Sequence, residues 1–392
     1  MEFESYINCL IDLLKSVILD TVPKELPDDI DLNELFSIAE HHSIENIVYL
    51  PLSRIADTTD ECVELFEEYY NYAVLHDATQ QYYLELVIDE LEANGIRHCV
   101  MKGPVMKALY PSSDLRKSRD IDIFVDDEDT EKVREIMESL GFTVLSFNKA
   151  FAHDMYIIDE NIKVEIHREL ISDKCPWNDE CQKIANRLIP VQGYKYRFEM
   201  SKEDYYLHMI AHMARHMKYS GIGIKMILDV WIYMRAYSDV LRQDILDDNL
   251  RSCGLDRFEN NIRKLCAYWF EDGDADVLIK RLGFYVGASG NFGTETQEIA
   301  SEMAENAGRL SNKTVSIIVY YVKVFFWPYK MMRERYTILK SIPVLLPFCW
   351  LHRAFTALLC RKESVGNIIG RYNDADMEAS RELIKFKREI GV

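Results

Sequence analysis

Asp120 and Asp122, one residue apart in Arg119-Asp-Ile-Asp-Ile-Phe-Val125, are the side chains here whose type and spacing best suit chemistry. Ile121, Ile123 and Val125 alternate with Asp120, Asp122 and Phe124, which is the period of a half-buried strand. On such a strand both carboxylates share one face, about 6.6 Å apart, while the isoleucines enter the core. Two acids that close repel unless a cation lies between them or one takes up a proton. Carboxylates are the ligands hard Mg²⁺ prefers, with substrate phosphates and water completing its shell. The pair therefore reads as a clamp for metal-bound phosphate.

The elements that must position this pair follow from the pattern around it. Residues 1–94 read as helical, with Ile7, Leu10, Ile11, Leu14 and Val17 at helical spacing. A longer run from Asp60 to Ala93 stops at Asn94-Gly95. Residues 95–200 then change character. Ile96–Met101 is a short strand, Lys102-Gly103-Pro104 a turn, and Val105–Tyr110 a short helix opened by Pro104. After the Asp-Ile-Asp strand comes a helix at Thr130–Leu140, its positive end favoured by Asp126-Asp127-Glu128-Asp129. Thr143–Phe147 is a strand, and Met155–Ile158 with Ile162–His167 a hairpin around Asp159-Glu-Asn161. In that last strand Lys163, Glu165 and His167 share one face. Residues 201–392 are helical again, entered through Ser201-Lys-Glu-Asp204, with a second helix at Ile224–Tyr237. The fold class is α+β: a small mixed sheet flanked by N-terminal and C-terminal helical regions, the latter closing a cleft.

This order carries a resemblance. A Lys102-Gly103 turn after a first strand, two acids on the next strand and Glu165 on a later one resemble the nucleotidyltransferase fold of the DNA polymerase beta superfamily. More narrowly, the chain is similar to a bacterial family of uncharacterised nucleotidyltransferases. Tyr110-Pro111, Arg116-Lys-Ser-Arg119-Asp120-Ile-Asp122, Val164-Glu165-Ile-His167 and the helix bearing His208 to His216 carry the likeness. The helical N-terminus and Pro347–Arg353 fit too, so it spans nearly the whole chain.

The resemblance implies Mg²⁺-dependent transfer of NMP from an NTP, with ATP the foremost candidate, to a hydroxyl. Asp120, Asp122 and Glu165 would be the catalytic and metal-binding residues, holding two Mg²⁺ ions about 3.5–4 Å apart. One ion would neutralise the leaving pyrophosphate; the other would lower the pKa of the acceptor hydroxyl and aim it in line. Gly103 would let the backbone approach phosphate, with N–H groups of the next helix facing the anion. The superfamily usually has Gly-Ser or Gly-Gly at this turn. Here Pro104 offers no N–H, and Lys102 would supply positive charge instead. That altered turn motivates an alternative, a non-catalytic nucleotide-binding or regulatory module on the same fold.

Other residues carry two readings each. Arg116 and Arg119 either contact phosphate or act as counter-charges to Asp114, Asp120 and Asp122. Lys107 reads as surface. His167 either orients a neighbour of the site or meets the acceptor. His208, His212 and His216 form one helical stripe. Met209 and Met213 stand where a zinc protease needs Glu, which removes that reading. The stripe is either buried and satisfied or lines the cleft, His212 with Lys225 and Asp229 touching nucleotide or acceptor. Gly287–Gly293 follows no strand, so it is no dinucleotide fingerprint.

Composition bounds the function class. The 392 residues are 48% hydrophobic and 28% charged, a soluble profile long enough for two or three domains. A net charge of −19 disfavours a nonspecific grip on nucleic acid and favours a small-molecule or protein acceptor. Nine scattered cysteines without CxxC, and an acidic start unlike a signal peptide, suggest a reducing cytoplasm. Residues 314–362 are apolar and basic by turns, with Phe325, Phe326, Trp327 and Trp350 beside Lys330, Arg333, Arg335, Lys340 and Arg353. This segment lacks the ~20 clean apolar residues of a spanning helix. It is either a packed helical subdomain or a weak membrane-surface contact, and the second reading would suit a peripheral protein of envelope polysaccharide or lipid metabolism.

Overall fold

The amphipathic repeats of the N-terminal segment fold as α1 (Glu2–Leu19), α2 (Leu32–His41), α3 (Glu45–Leu52) and α4 (Glu61–Ala93). This computed structural model describes residues 2–147, 152–159, 161–171, 175–291, 293, 326–360 and 377–392. Glu160 of the expected hairpin turn, Phe292, residues 314–325, Arg361 and Lys362 lie outside the described residues. Helix starts carry their own caps. The Asp31 carboxylate accepts from the Asn33 and Glu34 N–H groups, and Asp60 accepts from Cys62 N–H. α4 ends at Asn94, and Gly95 takes a positive φ of 73°, a conformation that costs glycine little.

β1 (His98–Met101), α5 (Gly103–Lys107), β2 (Asp120–Val125), α6 (Thr130–Ser139), β3 (Thr143–Ser146), β4 (His153–Ile158) and β5 (Ile162–His167) follow in order. Then come α7 (Asn178–Gln182), β6 (Ile189–Pro190) and β7 (Arg197–Glu199). The strands form a seven-stranded mixed sheet ordered β3-β4-β5-β2-β1-β7-β6. β2 pairs in parallel with β5 and β1 with β7; the other pairs are antiparallel. β6 and β7 went unread in the sequence, because two or three residues cannot display a period.

Each face of the sheet has its own core. Ile121, Ile123 and Val125 of β2 and Val164 and Ile166 of β5 pack with Val87 and Leu91 of α4 and Val133 and Met137 of α6. The other face carries Phe124 into a larger core shared by the N-terminal helices and by α8 (Lys202–Tyr219), α9 (Ile224–Tyr237), α10 (Gln243–Cys253), α11 (Asp256–Phe270) and α12 (Val277–Ser289). β2 is consequently not half-buried as its alternation suggests. Asp122 and Phe124 are only 2% and 4% exposed, because helices cover the polar face too. Lys107, read as surface, is buried. Its Nζ lies 2.6 Å from Asp77 Oδ1 and 2.7 Å from Gln80 Oε1, both on α4. An apolar stem and a ready-made counter-ion allow that burial.

Among the described residues no helix is long and apolar enough to cross a membrane. Within 326–360, Met332, Leu339 and Cys349 form a small core of their own with Trp327 and Trp350 around it.

Candidate active site

The register of two strands builds the centre of the site. In the parallel β2–β5 pair Asp122 stands opposite Glu165, and Asp120 opposite Lys163. Partners across a ladder share a face, so Asp120, Asp122 and Glu165 point the same way. β4 runs antiparallel along β5 with His153 opposite His167, which adds two imidazoles to that face. β1 delivers the cation. At its end Lys102 has φ 49° and ψ −114°, a strained conformation for a residue with a Cβ. Tyr205 of α8 donates its hydroxyl to the Lys102 carbonyl at 2.8 Å and holds the turn.

The cluster is tightly wired. Lys102 Nζ lies 2.5 Å from Asp122 Oδ1, and His167 Nε2 lies 2.8 Å from that same oxygen. His167 Nε2 is also 3.3 Å from Glu165 Oε2, and His153 Nε2 is 3.7 Å from Glu165 Oε1. Burial together with the negative charges of Asp122 and Glu165 pushes the Asp120 carboxyl up to about 6. Burial works against the Asp122 carboxylate as well, yet Lys102 and His167 hold it well below the usual range. Three carboxylates on one face of the sheet are oxygen donors of the kind a hard divalent cation takes, and such an ion would relieve the crowding that Asp120 registers, while among the described residues the donors within 4.8 Å of one another are those of His153, Glu165 and His167. The residues present fit the group.

A second cluster sits beside the first. Arg116 spans Asp229 on α9 in a two-point pair, Nε to Oδ1 at 2.8 Å and Nη2 to Oδ2 at 2.7 Å. Tyr110 donates to Asp229 Oδ1 at 2.8 Å, and Lys225 Nζ donates to the Lys117 carbonyl at 3.2 Å. Burial, aided by the charge of Arg116, brings the Lys225 ammonium down to about 7. Arg116, Lys225 and Asp229 thus join the loop before β2 to α9, with their polar atoms turned toward protein partners. Arg119 is exposed at the start of β2.

Gly103 begins a helix of only five residues, too short to present a strong dipole. A Cβ on it would lie 2.3 Å from Ser118 Oγ and 3.0 Å from Ser118 Cβ. The missing side chain makes room for the loop that leads into β2, and Ser118 Oγ there donates to the Asp120 carbonyl at 2.9 Å. The histidine stripe lies on α8. His208 Nε2 is 3.0 Å from the Leu170 carbonyl, and His212 and His216 bring their Nε2 atoms to 3.3 Å. Burial lowers the basicity of all three, aided by neighbouring positive charge: Lys102 for His208, the adjoining His216 for His212, and Arg215 for His216.

His153, Tyr205 and Ser118 were missed in the sequence. His153 was findable, since Met155 and Ile157 extend back to it by steps of two on the Glu165 face. Tyr205 was not, because its partner is a backbone carbonyl about a hundred residues away.

A family model described as "Uncharacterised nucleotidyltransferase" matches residues 28–271, which include every residue of both clusters. No curated protein and no solved structure matches the chain.

Proposed function

The chain belongs to this family of uncharacterised nucleotidyltransferases, and from that premise we propose that it moves NMP from an NTP to a hydroxyl of a small molecule or protein at Asp120, Asp122 and Glu165. The observation that carries the reading is the β2–β5 register, which sets Glu165 beside Asp122 on the covered face of the sheet. Mg²⁺ held by the three carboxylates would supply the positive charge that stabilises the pyrophosphate leaving group and acidifies the acceptor hydroxyl.

The chain's own groups have separate tasks in this reading. Asp122, kept ionised by Lys102 and His167, is the permanent negative anchor. Lys102, on a turn pinned by Tyr205, is placed to exchange its carboxylate partner for a phosphate oxygen when nucleotide enters. Asp120, the most proton-loving of the trio, is the group whose ionisation responds most to added positive charge. Asp122, at 2% exposure, is the covered member of the trio, which strengthens its interactions with Lys102 and His167. The acidic surface agrees with an acceptor that is not long nucleic acid.

With the altered turn, the Lys102–Asp122 pair favours the non-catalytic alternative, since it neutralises a carboxylate without a metal. One experiment separates the two. Each of the four NTPs is incubated with Mg²⁺ and a metabolite or protein pool, and pyrophosphate and nucleotide adducts are read by mass spectrometry. Release that disappears in Asp122→Asn supports transfer. Binding of NTP without release from any of the four leaves only the non-catalytic module.

A further inference from the structure

We propose that His153, Glu165 and His167 form a binding site for a first-row transition-metal dication, alongside the Asp120–Asp122 pair. The inference deepens the nucleotidyl-transfer reading and names the class of ion its second metal position takes.

The argument is one of donors and spacing. One donor atom from each of the three residues lies within 4.8 Å of the other two. Around a single ion with metal–ligand distances of about 2.0–2.2 Å, neighbouring donors stand roughly 3.0–3.5 Å apart. His167 Nε2 lies 3.3 Å from Glu165 Oε2 and His153 Nε2 lies 3.7 Å from the other oxygen, Oε1, so the carboxylate stands between the two imidazoles. Asp122 Oδ1, 2.8 Å from His167 Nε2 and 2.5 Å from Lys102 Nζ, stands outside that group as a neighbour of the site. His167 Nε2 has a carboxylate oxygen of Asp122 and one of Glu165 near it, and a single N–H cannot serve both well. A cation on Glu165 and the two imidazoles would leave Asp122 to Lys102.

The strands explain the placement. Opposed positions of the β4–β5 ladder put His153 against His167, and Glu165 stands two residues before His167 on the same face. Two imidazoles and a carboxylate are a poor set for Mg²⁺, which takes oxygen almost exclusively. They suit the borderline ions from Mn²⁺ to Zn²⁺. The His153 side chain is 35% exposed, so the outer side of the site opens to solvent, where a phosphate oxygen could complete the shell.

The test uses the full chain stripped with chelator and titrated with Co²⁺, whose visible ligand-field absorption reports nitrogen donors. The expected result is saturable binding that excess Mg²⁺ does not displace and Zn²⁺ does. His153→Ala and His167→Ala should each weaken Co²⁺ binding about tenfold or more. Because a His167 variant also loses its contact with Asp122, folding is checked by circular dichroism, and pulsed EPR of Mn²⁺ on the unmodified chain supplies an independent reading through nitrogen couplings. Co²⁺ held no more tightly than Mg²⁺, Co²⁺ affinity unchanged in His153→Ala, or Mn²⁺ bound without nitrogen coupling would each overturn the site. Nitrogen-coordinated Co²⁺ in a protein that releases pyrophosphate from no NTP would uphold this site while removing nucleotidyl transfer.

Discussion

Arg116 and Asp229, 113 residues apart, meet through two parallel hydrogen bonds of 2.8 and 2.7 Å that tie the approach to β2 onto α9. Both side chains are nearly covered, at 11% and 7% exposure. The pair fixes α9 against the loop that leads into β2, and it determines how substitutions there should behave.

Arg116→Ala strands a buried carboxylate and should cost on the order of 3–5 kcal/mol of stability. Arg116→Met with Asp229→Leu removes both charges and should recover much of that loss. Thermal unfolding of the three proteins checks this. An Arg116→Ala protein with unchanged Tm and a raised KM for NTP would instead make Arg116 a phosphate ligand.

Asp122→Asn and Glu165→Gln should each lower kcat by on the order of 10²–10³-fold, the scale of losing a group that stabilises transition-state charge. Circular dichroism should show a folded chain for both, because each replacement keeps the side chain's shape while exchanging an acceptor oxygen for a donor and removing the charge. Activity within a factor of two of the parent in either variant would remove that carboxylate from the mechanism.

Gly103→Ala should destabilise the chain by about 1–3 kcal/mol through overpacking against Ser118. Ser118→Gly in the same protein should restore most of the loss, since it deletes the atoms that clash. Urea midpoints for the single and double variants give the answer. Failure of the second substitution to rescue would mean the glycine is needed for another reason.

His42 provides a pH prediction away from the site. Its Nδ1 accepts from Ile224 N–H at 3.2 Å, so Nε2 carries the proton and donates to the Gly287 carbonyl at 2.9 Å. Burial, with a smaller push from His41 and against the Gly287 bond, brings the imidazole down to about 4. The folded state therefore favours the neutral ring. Its contribution is complete above the unfolded value near 6.5 and is lost as pH falls from there toward 4, amounting to about 3 kcal/mol at the limit. Buried His208 and half-buried His216 act in the same direction. Tm measured from pH 7.5 to 4.5 should fall, and His42→Gln should flatten part of the slope. A Tm that stays level over this range in the parent chain contradicts the assignment.

How far the sequence reaches is visible in these residues. The phase of Asp120, Asp122 and Glu165 was legible, because strand period fixes which face a side chain takes. The hairpin at β4–β5 and the cap at Ser201 were legible for the same local reason, and Ser201 Oγ does accept from Asp204 N–H at 3.1 Å. Covering of the polar face by α8 and α9 was not, since it depends on how distant helices dock. The Arg116–Asp229 pair was out of reach too: each charge has several opposite charges nearer in sequence. Lys107 shows the same limit, its partner Asp77 lying on a helix thirty residues earlier.

The first helix lies wholly before the family match, yet it is not an appendage. Leu10, Leu13 and Leu14 are at most 2% exposed and belong to the same core as α8 to α12. The Tyr6 hydroxyl accepts from the Asp31 backbone at 3.1 Å. Trimming the polypeptide to residue 28 would peel an apolar lid from the helices of that core, and the shortened product should aggregate. Where homology ends and where folding begins are different places along this chain.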